Sequence, residues 1–210
     1  WFLSYTNPMA MLSGAMQRGT GVKTVGLCHS VQGCAGGLLR HVGLDPAKHP
    51  GFQWKIAGIN HMAWLLELTD NGKDLYPAVK KRAAELIDLL RKQGREKVFA
   101  AAAKKPVKGY SLKTLQAAAH DMVRLAMMLY FGYYITESSE HNAEYLPYWI
   151  KRDYPKLIKE FGIPLDEYPR RCINQIAGWK KMSREIVGNP NLSHQRTHEY
   201  GSFIMEAIET

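Results

Sequence analysis

Cysteine is scarce in this chain: three residues in 210, Cys28, Cys34 and Cys172. Their spacing matches no zinc finger, and an odd number cannot all pair within one chain, so free thiols are expected. Long apolar runs are lacking too, and no stretch would cross a bilayer as a helix. With no signal-peptide pattern at Trp1, a reducing cytoplasmic setting is the expectation. The phosphate loops GxGxxG and GxxxxGK followed by Ser or Thr are both missing, so the glycines at Gly36-Gly37 read as close helix–strand packing. Acidic residues are outnumbered, 19 against 28 basic, for a formal charge of +9. The basic runs Lys80-Lys81-Arg82, Lys104-Lys105 and Lys180-Lys181 are scattered, however, which fits solvated faces and gives no nucleic-acid or membrane surface. No internal repeat or low-complexity segment is present.

What is there is enough apolar material, 46% of residues, for a globular core. Residues 1–7 read as a strand ending before Pro8, residues 10–18 as a short helix, and residues 22–28 and 52–59 as two further apolar strands. That alternation predicts the closing part of a Rossmann-like parallel sheet, an α/β arrangement, over residues 1–62. A strand at 64–68 and a turn at 69–73 follow. The periodicity then becomes helical: 75–90, a single long helix over 111–130, and 154–161, 165–187 and 195–208. Residues 63–210 are therefore expected to form a mainly helical α+β domain. The chain opens inside a strand pattern and closes after a helical one, so an internal piece of a longer protein is expected.

Two polar clusters close apolar strand patterns, Cys28-His29-Ser30 and Asn60-His61. In open α/β sheets ligands bind outside the carboxyl ends of the strands, so these clusters point to one shared site. A thiolate and a neutral imidazole suit an open two-ligand transition-metal site. Alternatively His61 or His29 could activate Cys28 as a nucleophile. A third polar stretch, from Thr136 to Tyr145, holds carboxylates, a histidine and hydroxyls, and is a candidate for lining the same site.

Four segments taken together, Asn7-Pro8-Met9, Cys28-His29-Ser30-Val31-Gln32-Gly33, Gly58-Ile59-Asn60-His61-Met62 and Thr136-Glu137-Ser138-Ser139-Glu140-His141-Asn142-Ala143-Glu144-Tyr145, resemble the successive motifs of glycoside hydrolase family four. The Cys-His-Ser-Val-Gln-Gly form is similar to the α-galactosidase and α-galacturonidase branch. The resemblance implies NAD-dependent chemistry outside the two-carboxylate scheme. NAD⁺ oxidises the sugar at C3, a base removes the acidified C2 proton, the C1 substituent is eliminated, and water addition and re-reduction complete the cycle. A divalent metal, typically Mn²⁺, polarises the C2 and C3 oxygens.

By that resemblance Cys28 and His61 are metal ligands, Asn7, His29 and Asn60 contact substrate or its ligands, and Asp121 with Arg124 supplies the C2 base and its charge partner. Tyr110 or Tyr133 is the fallback base. The partners implied are a small-molecule α-glycoside and further copies of the chain in a homo-oligomer. The family's dinucleotide loop has no counterpart in these 210 residues, so no residue is assigned to NAD.

Overall fold

The computed structural model describes residues 1–189 and residue 205. The helix expected over 195–208 lies, but for Met205, outside the described residues. The chain divides into two compact units, Trp1–Pro164 and Leu165–Thr210.

The first unit opens with a β-α-β element. Strand β1 (Phe2–Ser4) pairs in parallel with β2 (Thr24–Gly26), Phe2 opposite Thr24 and Ser4 opposite Gly26, and helix α1 (Met9–Gly19) makes the crossover. A parallel pair needs such a crossover, whereas a tight turn can join only antiparallel strands. That rule corrects the expected place of the 52–59 strand. The strand exists, as β3 (Phe52–Ile59), but only Asn60-His61 separates it from β4 (Met62–Asp70), and the two form an antiparallel hairpin in a different sheet. At the other end of β4, Asn71 and Gly72 both have positive φ, the conformation of a type I′ turn, and lead into β5 (Lys73–Asp74). The short strand β6 (Tyr134–Ile135) pairs with the other edge of β4 at Leu65 and Trp64.

Short helices α2 (His29–Gln32) and α3 (Cys34–His41) follow β2. Beyond the sheet come α4 (Tyr76–Gln93), α5 (Arg95–Ala102), α6 (Leu112–His120), α7 (Met122–Phe131), α8 (Ser139–Tyr145) and α9 (Lys156–Phe161). The core forms where α3, α4, α6 and α7 meet β4: Leu38, Leu39, Leu65, Leu68, Leu86, Leu115 and Leu125 are all fully buried. Each such side chain contributes about 1.5–3 kcal/mol on burial. Ser111 starts α6 by accepting the Thr114 N–H, and Gly132, at φ 90, stops α7 in the left-handed region.

The long helix expected over 111–130 is broken at Asp121, which ends α6 and begins α7 at φ −105 and ψ 10. The apolar periodicity runs through the break, so the spacing gave no sign of it. The cause is the Asp121 side chain, which is drawn into the core by the partners described below.

Gly58 supports the turn that carries Asn60 and His61. Its φ is +140, and a Cβ there would meet Ala63 Cα at 2.6 Å. Gly58→Ala is expected to destabilise the hairpin by roughly 1–3 kcal/mol, read as a melting temperature lower by several degrees. An unchanged melting curve would refute the close approach.

In the second unit α10 (Glu167–Gly188) exposes Ile173, Ile176 and Trp179 along its length.

Candidate active site

The site begins where β2 ends. The Leu27 N–H donates to Ser4 O, which prolongs the parallel ladder, and Cys28 follows in extended conformation as the cap of α2. Its sulfur lies 3.0 Å from Ser30 Oγ. The His29 ring is 5.8 Å from that of Tyr5, and Asn7 is exposed between β1 and α1. Two of the three cysteines now differ sharply. Cys34 is buried, and that burial pushes its thiol up to about 12, Arg124 opposing and Asp121 adding to the shift, so it stays protonated and inert. Cys28 is half-buried and within reach of a ligand.

His61 sits in the two-residue turn at φ 64. Its Nδ1 is 3.0 Å from Glu137 Oε2, and Glu137 Oε1 accepts the Ser138 N–H at 2.7 Å. A carboxylate on one ring nitrogen orients an imidazole and raises its basicity as a metal ligand. With Nδ1 occupied in this way, Nε2 is the nitrogen left to ligate. Residues 136–138 are themselves fixed from three sides. The Thr136 N–H donates to Ala63 O of β4, Arg124 Nη1 donates to Thr136 O, and Asn142 Nδ2 donates to Glu137 O and Ser138 O.

Behind this loop lies Asp121, 2% exposed. Its Oδ2 accepts from His41 Nδ1 at 2.8 Å and from the Tyr134 hydroxyl; its Oδ1 accepts from Arg124 Nε at 2.5 Å and from Ser139 Oγ at 3.2 Å. Burial pushes the carboxyl upward, but the Arg124 guanidinium, with His41 and Tyr134, outweighs it and holds Asp121 below the usual carboxylate range. Burial would by itself lower Arg124, and the Asp121 charge more than restores it.

Asp121 and Arg124, expected as the C2 base and its charge partner, thus lie behind the loop. The carboxylate is sealed from solvent with both oxygens engaged, and it holds α3, α7, β6 and α8 together. Of the fallback bases, Tyr110 is buried and donates to Glu85 at 2.8 Å, whereas Tyr133 is half exposed and packs edge-on against Tyr76. The sequence reading gave no individual role to Glu137, Ser139, His41 or Tyr134. Glu137 and Ser139 stood within the polar stretch that was singled out, so a signal existed for them; His41 is 80 residues from its partner, and no local pattern marks it.

Seven buried polar side-chain atoms lack a partner among the described residues, and four of them lie in the motif segments: Gln32 Oε1, Asn60 Oδ1, Thr136 Oγ1 and Asn142 Oδ1. Buried polar atoms are normally satisfied, so exceptions shared by the motif segments suggest groups that a ligand completes. Among the described residues no group of three or more His, Cys, Asp or Glu side chains is placed to hold a metal ion. The two expected metal ligands lie on separate elements, Cys28 at the end of β2 and His61 in the β3–β4 turn. No helix among the described residues is long and apolar enough to cross a membrane.

Comparison with known proteins identifies the family. Residues 1–44 match the family 4 glycosyl hydrolases, and residues 56–210 match the family 4 glycosyl hydrolase C-terminal domain. An α-galactosidase of Bacillus subtilis (strain 168) is 54% identical over 210 residues, 100% of this chain and 41% of its own length. An α-galactosidase of Rhizobium meliloti (strain 1021) is 30% identical over 100% of this chain and 38% of its own length. The chain thus spans about two-fifths of the length of these relatives. Among solved structures, a 6-phospho-α-glucosidase from gut microorganisms, in complex with NAD and Mn²⁺, superposes with a TM-score of 0.51 at 17% identity, over 99% of this chain and 42% of that one. With a parallel β-α-β opening, a mainly helical second part and both domain matches in order, the chain belongs to family 4 of the glycosyl hydrolases.

Proposed function

We propose that the intact protein carrying this chain is an NAD- and divalent-metal-dependent α-galactosidase, and that this chain supplies the metal ligands and the substrate-facing half of its site. The observation that carries the reading is the contact between His61, in the turn between β3 and β4, and Glu137, in the loop between β6 and α8, 3.0 Å apart, with unsatisfied Asn60 Oδ1 next to His61 in sequence. The 54% identity to an α-galactosidase over the whole chain supports a galactoside as the sugar.

In this reading residues 1–62 close a dinucleotide-binding half and residues 63–210 form the helical half, with the β3–β4 hairpin spanning the junction. Cys28, as thiolate, and His61, through Nε2, would hold the metal. With only two protein ligands, most positions on the ion would be filled by water and sugar oxygens, and it is that oxygen-rich remainder that would suit Mn²⁺. When bound, NAD supplies a hydride acceptor for C3, and the metal supplies Lewis acidity at the sugar's C2 and C3 oxygens. The chain's own residues do the positioning. Asn7, His29 and Asn60 offer amide and imidazole groups to sugar hydroxyls, and Gln32 and Thr136 offer oxygen atoms that lack protein partners. Glu137, against Nδ1, would orient the imidazole so that Nε2 is turned to the metal. Asp121 and Arg124 act at one remove: Arg124 holds the Thr136 carbonyl, Thr136 leads into Glu137, and Glu137 meets His61. They are positioning residues.

The test is an assay of the intact protein on a chromogenic α-galactoside, with the matching α-galacturonide beside it. Activity is expected only when NAD⁺ and Mn²⁺ are both present, and a substrate deuterated at C2 should show a primary isotope effect or exchange with solvent. Full turnover after both are stripped would overturn the proposal, and a clear preference for the galacturonide would move the substrate class.

A further inference from the structure

We propose that the sheet face beside His61 and Glu137 is the leaving-group subsite, an aromatic floor that takes a second pyranose ring linked to the galactose; the inference rests on the α-galactosidase reading. The strand register places this floor. Trp64 lies opposite Ile135 and Leu65 opposite Tyr134, and the bond from Thr136 N–H to Ala63 O carries the antiparallel ladder one residue further. Glu137 is thereby brought level with Met62, next to His61, whose Nδ1 it meets at 3.0 Å. Side chains alternate along a strand, so the residues of β4 and β6 divide between two faces. Ala63, Leu65, Tyr134 and Thr136 make one face and are buried. Met62, Trp64, Ile135 and Glu137 make the other, and β3 extends it across the hairpin with Ile59 opposite Met62 and Ala57 opposite Trp64. One face of the sheet thus carries Glu137 in one row and, about 7 Å along, Trp64 in the next.

Beyond that row the face is aromatic and open. Phe131, the last residue of α7, sets its ring edge-on to Trp64 with centroids 6.0 Å apart, and the Tyr148 ring follows at 5.9 Å from Phe131. Trp64 is half-buried, Phe131 and Tyr148 each expose 50%, and Ile59 at the far side exposes 68%. A contiguous exposed patch of this kind marks a binding surface, and here it adjoins a polar site. A pyranose ring matches it: the axial C–H groups make one flat apolar face for the rings to cover, and the hydroxyls at the rim stay in water. The connection to the reaction is equally direct. In the α-galactosidase reading the galactose is held at its C2 and C3 oxygens from the His61 end, and C1 is one bond from C2. Whatever C1 carries therefore lies against the surface bordering that end, and the Trp64 row borders it. A methyl leaving group would leave the floor bare, whereas a second sugar would cover it. The substrate class that the floor favours is an α-galactosyl oligosaccharide.

The experiment is steady-state hydrolysis by the intact protein, with NAD⁺ and Mn²⁺, of an α-galactosyl-glucose disaccharide and of methyl α-galactoside, the same galactose with and without a second ring. Phe131→Ala and Tyr148→Ala are each expected to raise KM for the disaccharide about three- to tenfold, the loss of one aromatic contact, and to leave KM for the methyl glycoside unchanged. Both positions are half exposed, so neither truncation opens a cavity in the core. Tyr148→Phe, which keeps the ring, should keep the wild-type KM for both substrates. Equal shifts on the two substrates, or none on either, would overturn the subsite while the α-galactosidase reading stands. A wild type that hydrolyses neither would bring down that reading and the subsite with it. A change of oligomeric state in the alanine variants, seen by size-exclusion chromatography, would also overturn the subsite, giving the floor to contact between copies of the chain.

Discussion

Asp121→Ala is expected to produce the largest loss of stability of any single substitution in this chain. The change leaves Arg124 buried without its counter-charge and removes the acceptor of His41, Tyr134 and Ser139 at once. Breaking a buried, hydrogen-bonded pair by removing one partner costs about 3–5 kcal/mol, set against a total stability of roughly 5–15 kcal/mol for a domain. Soluble yield should collapse, and whatever folds should melt on the order of ten degrees lower. Asp121→Asn, which keeps the shape, separates this role from proton abstraction. A positioning residue lowers the melting temperature and loosens the 136–138 loop, whereas a base lost from an intact site lowers turnover alone. Wild-type stability with abolished turnover in Asp121→Asn would restore Asp121 to the reaction. The pH dependence follows from the direction of its shift. Folding lowers the Asp121 pKa, so as the pH falls the unfolded chain takes up its proton first. The stabilisation is complete above the ordinary carboxyl value, about 3.9, and is lost below it as the pH falls through the folded value. The gap in melting temperature between wild type and Asp121→Asn should accordingly narrow on acidification.

The helix break at Asp121 also marks how far local reading reaches. Strand β3, the Asn71-Gly72 turn and helix α4 were each legible, because alternation, turn chemistry and a 3.6-residue period are written within a few residues of one another. The partner of β3 was not, since its pattern of side chains is the same whether it pairs in parallel with β2 or antiparallel with β4. The two-residue connection through Asn60-His61 held the answer, and only reading it as a turn rather than as the end of a parallel strand would have released it. The site divides in the same way. Cys28, His61 and Asn60 stood out as polar breaks in apolar runs. The role of Asp121 did not, because it is set by His41, Tyr134 and Ser139, which arrive from three other elements. An Asp three residues before an Arg looks alike on an exposed helix face and in a sealed core. What separates the two is burial, a tertiary property that no spacing carries.

Glu137→Gln should show its effect on metal binding while leaving the fold in place. The substitution keeps size and shape, and the loop around it stays anchored by Thr136 to Ala63 and by Asn142 to Glu137 O, both through backbone atoms of the loop. What it removes is the charge beside His61 Nδ1. Without that charge the proton has less reason to reside on Nδ1, the ring can turn or change tautomer, and Nε2 becomes a weaker ligand. Loss of such an outer partner typically reduces metal affinity or activity ten- to a hundredfold. We expect Mn²⁺ affinity, measured on the intact protein by calorimetry or electron paramagnetic resonance, to fall about that much. Turnover at low Mn²⁺ should fall in parallel and recover in part when the metal is raised. Glu67→Gln, which breaks the exposed Lys55–Glu67 pair on the same sheet, should change neither quantity. Two outcomes would tell against the role. Unchanged Mn²⁺ affinity in Glu137→Gln, alongside its loss in His61→Ala, would leave the imidazole a ligand but the carboxylate a bystander. A loss of turnover that no concentration of Mn²⁺ relieves would instead place Glu137 in contact with the reacting sugar. The recovery at high metal is therefore the decisive reading, because a residue that acts only through the His61 imidazole can be compensated by mass action and one that acts on substrate cannot.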